Sequence, residues 1–231
     1  MQSELQSIQT AVTALEDAYQ AVFEVAYIGM TADQIDVVIE QQLASHGAKL
    51  PEKRATNTPF VVAADGLAPK LRINRVPLER DKLWAMDTSV HVDGCWADLG
   101  RYAWFGSLPQ HIGEAHDRLL ARQELIAHAI RPGMGMDEIY KVIPPGPGFE
   151  IHRIGSEPHL MPFCGDVIPA VIEKMDQSVA QGLVYETGQV ICIELWAGMV
   201  GGIEDMYRVE ADGVARISSS QRCIREIKVD D

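Results

Sequence analysis

Apolar residues recur at helical spacing in the first part of the chain. Between Glu4 and Ala26 they lie three or four positions apart, which predicts an amphipathic helix. Gly29 ends this pattern, and Thr31 followed by Gln34 forms a capping-box motif that predicts the start of a second helix. The apolar positions of the two helices are Leu5, Ile8, Val12, Leu15, Ala18, Val22 and Phe23, then Ile35, Val38, Ile39 and Leu43.

A strand-like pattern follows a region of prolines and glycines that extends to about residue 82. Residues 83–105 are rich in β-branched and aromatic side chains, and Asp93-Gly94 is a typical two-residue hairpin turn. The same order then returns: helices over 111–130 and from Met136, a loop rich in proline and glycine, and a strand-like run over 189–196. Gly201-Gly202 is predicted to turn this run back into a final strand.

The acidic residues of the two predicted hairpins lie at similar offsets. Asp87 and Glu194 are 107 residues apart, and Asp98 and Glu204 are 106 apart. Because no clean linker separates the halves, we predict one pseudo-symmetric α+β domain over residues 1–231.

Composition narrows the classes of function. The hydrophobic content of 47% suffices for a sizeable core, and the net charge of −13 leaves no basic stripe for nucleic acid. The four cysteines lack C-x-x-C spacing, which indicates reduced thiols. No signal pattern or membrane-length apolar run is present, so we expect a cytoplasmic protein with no membrane partner. Whether the protein forms a homodimer is left open by the sequence.

The acidic residues of the first hairpin are predicted to share a face. If Asp93-Gly94 is a two-residue turn, Asp98 lies opposite Ser89 and therefore on the same face as Asp87. In the second hairpin, a two-residue Gly-Gly turn would place Glu194 and Glu204 on opposite faces, whereas a three-residue loop centred on Gly201, or a bulge, would place them on one.

Four converging carboxylates would repel one another strongly. Two of them 4 Å apart repel by roughly 4 kcal/mol at an effective dielectric of about 20. Two divalent cations would cancel four such charges, so the pattern predicts a metal centre. Any one of these carboxylates taken alone is more typical of a solvated surface group, and we expect Asp93 and Asp205 to be solvated.

These segments resemble the superfamily of methionine aminopeptidases, Xaa-Pro dipeptidases, aminopeptidase P and creatinase. The eleven-residue gap from Asp87 to Asp98 is that of the superfamily's aspartate hairpin. The segment 151–159 resembles its G-H-G-I-G-x-x-x-H motif, and the segments 188–194 and 201–213 resemble its two glutamate motifs. The resemblance extends from the first helix to about residue 217.

The resemblance implies a pita-bread fold, in which a helix pair plus an acidic hairpin occurs twice around a curved antiparallel sheet. We expect residues 1–231 to be this catalytic domain alone, without the N-terminal domain of prolidase-like members. The resemblance also implies two divalent metal ions: Asp98 and Glu204 would contact both, Asp87 would complete one site, and His152 with Glu194 the other. Such ligands suit Mn, Fe, Co or Zn.

The activity that the resemblance implies is aminopeptidase-type hydrolysis of an amide or peptide bond by a metal-bridging hydroxide. Glu194 and His159 would be catalytic, as proton shuttle and oxyanion donor. The chain departs from the family because no histidine lies in residues 67–74 and Arg153 replaces the glycine after the metal histidine. Arg153 and His159 are therefore predicted to bind substrate.

Two alternatives stay open. One is a non-peptidase of the same fold, a C–N hydrolase or lyase acting on a small anionic compound, which Arg153 would favour. The other is a metal-free protein that only binds peptides. The retention of all five implied ligands disfavours it.

Overall fold

The computed structural model describes residues 3–50, 77–146, 149–154, 163–164, 184–196 and 202–229. The predicted helices are present within one or two residues of their expected ends. They are α1 (Ser3–Val25), α2 (Ala32–Ser45), α3 (Gln110–Ala129) and α4 (Met136–Val142).

Local sequence explains where these helices begin and which side they bury. The Thr31 hydroxyl accepts a hydrogen bond from the Gln34 backbone N–H, and the Gln34 side chain bonds the Thr31 backbone N–H, which confirms the predicted capping box. Along α1, residues such as Leu15 and Val22 are fully buried at helical spacing. None of the helices in the described ranges is long and apolar enough to cross a membrane.

Within the described residues, the strands form one eight-stranded sheet. Its main path runs β1-β2-β6-β5-β3-β4, with β7 paired to β6 and β8 paired to β2. All pairs are antiparallel except β2 with β8. The strands are β1 (Trp84–Val92), β2 (Cys95–Phe105), β3 (Phe149–Ile154), β4 (Phe163–Cys164), β5 (Val190–Trp196), β6 (Gly202–Glu210), β7 (Gly213–Arg216) and β8 (Arg225–Ile227).

The first hairpin has the predicted register. Asp93 and Gly94 form its turn with φ of 51° and 79°, the left-handed conformations that a tight hairpin turn needs. Ser89 therefore pairs with Asp98, and Asp87 pairs with Gly100.

Gly202 does not form the predicted turn of the second hairpin. It is the first residue of β6 and pairs with Trp196, so five residues, 197–201, separate the two paired positions. Five is an odd number, as in the three-residue alternative. Glu194 and Glu204 consequently lie directly opposite each other on one face.

The internal repeat extends to matched hydrogen bonds. The N–H of Gly29 donates to the carbonyl of Leu78, just as the N–H of Gly133 donates to that of Tyr185. In each half a second hydrogen bond runs the other way: the N–H of Leu78 donates to the carbonyl of Met30, and the N–H of Tyr185 donates to that of Met134. Both glycines have positive φ, 94° and 85°, which explains why glycine occupies them.

Two hydrophobic clusters pack mainly on one side of the sheet, here called the helix face, and the cluster of the first half also includes Val190, Cys192 and Met206 of β5 and β6. In the first half α1 packs against alternate residues of β1 and β2, such as Met86 and Leu99, and α2 packs against α1. In the second half α3 packs against β5 and β6, through residues such as Leu119, Ile193 and Val209. This mixed architecture agrees with the predicted α+β class.

Candidate metal centre

Acidic side chains form a row across the middle of the sheet. Asp87 pairs with Gly100, Gly100 with Glu204, and Glu204 with Glu194, so these positions lie side by side on four neighbouring strands. Asp98 is two residues before Gly100 and therefore shares its face. We call this side of the sheet the acidic face.

Three of these carboxylates come close enough to share a metal ion. Asp87, Asp98 and Glu204 each offer an oxygen within 4.8 Å of the other two. Asp98 and Glu204 are buried, with exposed fractions of 7% and 2%, and Asp87 is half-buried. Glu194 is half-buried and outside this tight group, although its charge still acts on Glu204.

Glycine at position 100 leaves the space in which Glu204 lies. A Cβ atom added to Gly100 would be 3.2 Å from the Cβ of Glu204 and 3.6 Å from its Oε2. The backbone of Gly100 is not in the left-handed region, so its role is spatial rather than conformational. The sequence analysis missed this residue, although its position two residues after Asp98 was a usable signal.

The crowding of charge changes the protonation of Glu204. Burial first, and then the charges of Asp98, Asp87 and Glu194, raise the pKa of this carboxyl well above its usual range. The Cys192 thiol donates to Glu204 Oε1 at 3.3 Å and opposes the rise. Glu204 Oε2 has no hydrogen-bond partner among the described residues, so a buried acceptor is available on the acidic face.

Two further residues near the cluster were not singled out by the sequence. Burial first, and then the charges of Glu204, Asp98 and Glu194, raise the pKa of the Cys192 thiol well above its usual range, so the thiol stays protonated. Tyr102 lies two residues after Gly100 on the acidic face. Burial, and then the charges of Asp87, Glu194 and Glu204, raise the pKa of its phenol, which therefore remains a neutral donor.

Asp205 does not lie where the sequence analysis placed it. It was expected to be solvated, but it is fully buried on the helix face, next to Glu204 in the chain and on the opposite side of the sheet. Arg101 donates to it at 2.8 Å and the Ser218 hydroxyl at 2.7 Å, and Arg222 lies 3.3 Å away. These partners, distant in sequence, offset the desolvation of the charge.

The remaining predicted site residues are described only in part. The backbone of His152 lies in β3 opposite Cys192, and that of Arg153 lies opposite Ile191. The register thus brings residue 152 to the strand next to the acidic row. The side chains of His152 and Arg153, and the whole of His159, lie outside the described residues.

Comparison with known proteins agrees with this arrangement. The model of metallopeptidase family M24 matches residues 6–220. No curated protein sequence matches the chain. Among solved structures, the prolidase from Pyrococcus furiosus is similar with a TM-score of 0.73 and 21% identity, over 96% of this chain and 65% of that one.

Two further structures show the same likeness. An X-Pro aminopeptidase from Thermotoga maritima has a TM-score of 0.75 at 17% identity, over 98% of this chain and 63% of its own. An Xaa-Pro dipeptidase from Bacillus anthracis has a TM-score of 0.73 at 18% identity, with the same two coverages. The chain thus spans less than two thirds of the length of these relatives. At such identities the likeness establishes the pita-bread fold, and the family model establishes the family: the chain belongs to metallopeptidase family M24.

Proposed function

We propose that this chain is a metal-dependent hydrolase of aminopeptidase type that cleaves an amide or peptide bond. In this proposal Asp87, Asp98, His152, Glu194 and Glu204 bind two divalent metal ions. The observation that carries the proposal is the meeting of three carboxylates within 4.8 Å at the centre of the sheet. Family membership supports the same chemistry.

The residues present suit such ions in charge and in chemistry. At an effective dielectric of about 20, two ionised carboxylates with oxygens 4.8 Å apart repel by about 3.5 kcal/mol. Bound cations would turn this repulsion into attraction. The acceptor Glu204 Oε2, buried and without a partner among the described residues, supplies a coordination site. Carboxylates together with one imidazole suit Mn, Fe, Co or Zn.

The positions of the carboxylates support different roles for them. The buried pair Asp98 and Glu204 lies between Asp87 and Glu194 and is suited to contact both ions. Divalent ions in such a centre lower the pKa of water and polarise a substrate carbonyl. Glu194, which is more exposed than Glu204, would accept and return the proton. His159 would donate a hydrogen bond to the oxyanion.

Metal analysis with a matched pair of variants tests this proposal. Protein stripped by a chelator is titrated with Mn²⁺, Co²⁺ or Zn²⁺, and bound metal is measured after equilibrium dialysis. We expect two ions per wild-type chain and loss of both metal and hydrolysis in Asp98→Asn. Asp93→Asn makes the same charge change at the exposed turn of the same hairpin and should behave as wild type. Metal-free wild type, or equal loss in both variants, contradicts the proposal.

A second candidate is a non-peptidase reaction on a small anionic compound. It is favoured by Arg153 in the position of the family's glycine and by the lack of histidine in residues 67–74. Arginine pairs with carboxylates through two parallel hydrogen bonds. A panel of Xaa-Pro dipeptides, Met-initiated peptides and small carboxylate-bearing amides separates the two. An ordinary enzymatic value of kcat/KM is about 10⁴ M⁻¹s⁻¹. If peptides are turned over at about that value and the value is unchanged in Arg153→Ala, this candidate is excluded.

A further inference from the structure

The acidic face is built across a narrow seam between the two halves of the sheet. Asp87 and Asp98 come from the first hairpin, and Glu194 and Glu204 from the second. Within each hairpin the strands pair over nine and seven residue pairs, respectively. Between β2 and β6, where the hairpins meet, the described ladder consists of the single pair Gly100 and Glu204.

Arg101 forms hydrogen bonds with backbone carbonyls on both strands of this seam. The Nη1 of Arg101 donates to the carbonyl of Gly100 on β2 and to the carbonyl of Glu204 on β6, both at 2.7 Å. Its Nη2 donates to Asp205 on β6 at 2.8 Å. Arg101 thus holds the backbone of both strands at the point where they carry the acidic row.

Further hydrogen bonds fix the position of the Arg101 guanidinium. The hydroxyl of Ser220 accepts from Nε at 3.0 Å and from Nη2 at 2.8 Å, and Asp205 also accepts from Ser218. Arg101 is 3% exposed and Asp205 is 0% exposed, so water does not compete for these bonds. A buried guanidinium whose N–H groups are all hydrogen-bonded has one geometry.

We propose that Arg101 is a positioning residue for the metal centre. It sets the distance between Asp98 and Glu204 by clamping the strands that carry them, from the helix face. This inference rests on the proposed function, because it assigns Arg101 a role toward the ions. Metal ligands must lie within about 0.2 Å of ideal distances, so a small slip at the seam weakens binding without unfolding either core.

Arg101→Lys tests the clamp. Lysine keeps the positive charge beside Asp205 but lacks the planar fork that reaches both carbonyls at once. We expect native far-UV circular dichroism, Mn²⁺ affinity lowered by about tenfold or more, and an altered visible absorption spectrum of the Co²⁺-loaded protein. The spectrum reports ligand geometry, which a purely structural role of Arg101 would leave unchanged.

Arg216→Ala is the matched control. Arg216 also lies near Asp205, at 3.7 Å, but it is on β7, about one third exposed, and outside the seam. We expect its Mn²⁺ affinity to stay within about twofold of wild type, well under the tenfold loss assigned to the clamp. Equal losses in Arg216→Ala and Arg101→Lys would show that only the charge balance of Asp205 matters, which overturns the clamp.

Two further outcomes are decisive. If Arg101→Lys does not fold, Asp205→Asn replaces it, because it keeps the arginine and removes the anion that orients Nη2. An Mn²⁺ affinity of that variant equal to wild type overturns the inference, and a loss of threefold or more, a fraction of the tenfold effect, supports it. Wild type that binds no ion overturns the proposed function and the clamp with it. Wild type that binds ions while Arg101→Lys binds them equally overturns the clamp alone.

Discussion

Glu204 is a buried carboxylate whose pKa is raised by the other charges of the acidic row, and its substitution by glutamine isolates that repulsion. Glutamine has nearly the same shape and can still accept the hydrogen bond from the Cys192 thiol. In metal-free protein at neutral pH, Glu204→Gln should therefore increase the free energy of unfolding. Most substitutions of buried residues do the opposite.

The expected gain has an upper limit. With Asp87 and Asp98 both within 4.8 Å, an ionised Glu204 would experience a repulsion of at least about 7 kcal/mol at an effective dielectric of about 20. Protonation avoids this. At pH 7 it costs about 1.4 kcal/mol for each unit above the ordinary glutamate pKa of about 4.3, or about 3.7 kcal/mol. The gain in Glu204→Gln should therefore be about 2–4 kcal/mol, or about 5–15 °C in Tm for a chain of this length.

The pH dependence follows from the direction of the pKa shift. Because the pKa of Glu204 is raised in the folded state, its contribution to stability is fully present below about pH 4 and is lost as the pH rises. The advantage of Glu204→Gln should therefore be small near pH 4 and grow toward pH 7.

Chemical denaturation in urea with a chelator, followed by circular dichroism between pH 4 and pH 8, measures this difference. Added Mn²⁺ should reverse the order of stability, because only wild type retains the ligand. An advantage that is absent at pH 7, or equal at pH 4 and pH 7, would refute the reasoning.

Four other substitutions test separate parts of the structure. Gly100→Ala brings a Cβ to 3.2 Å from Glu204, so we expect a stability loss of about 1–3 kcal/mol together with weaker metal binding; unchanged metal affinity would contradict this. Tyr19→Phe and Gln123→Met each remove a buried donor to a sheet carbonyl, at 2.7 and 2.9 Å, and should each lower the free energy of unfolding by about 1–3 kcal/mol in urea titrations. His159→Ala should keep its metal and lower kcat by about 10²–10³; metal loss equal to that of the ligand variants would show that its role is misassigned.

The first hairpin shows how much of a site can be predicted from local sequence. Asp93-Gly94 specifies a two-residue turn, the turn specifies the register, and the register places Asp87 and Asp98 on one face. The capping box at Thr31 was equally predictable, because its hydrogen bonds connect residues three apart.

The second hairpin was predicted less well because its loop has no such signature. The pair Gly201-Gly202 suggested a turn, but Gly202 lies in β6 and pairs with Trp196. The faces of Glu194 and Glu204 depend only on whether the loop length is odd or even, so the acidic row survives the error. The shared face was therefore predictable where the turn was not.

Asp205 was beyond the reach of local patterns. Its burial depends on Arg101, on another strand 104 residues away, and on Ser218 and Arg222 in the segment that follows β7. A charged residue in an apolar strand is usually solvated, and only the tertiary partners reverse that expectation. For the same reason the clamping role of Arg101 could not be inferred from its neighbours in sequence.

Side chains alternate between the two faces along a strand, so the boundary between β2 and β6 carries like charges on one face and an ion pair on the other. On the acidic face Asp98 and Glu204 would repel each other across β2 and β6 if both were ionised with no cation between them, and the raised pKa of Glu204 reflects this repulsion. One residue further along β6, on the helix face, Asp205 forms its ion pair with Arg101 across the same two strands. The attractive ion pair therefore lies on the opposite face of the same two strands from the repelling carboxylates. Two halves with separate cores can in this way hold carboxylates close together before any metal ion binds.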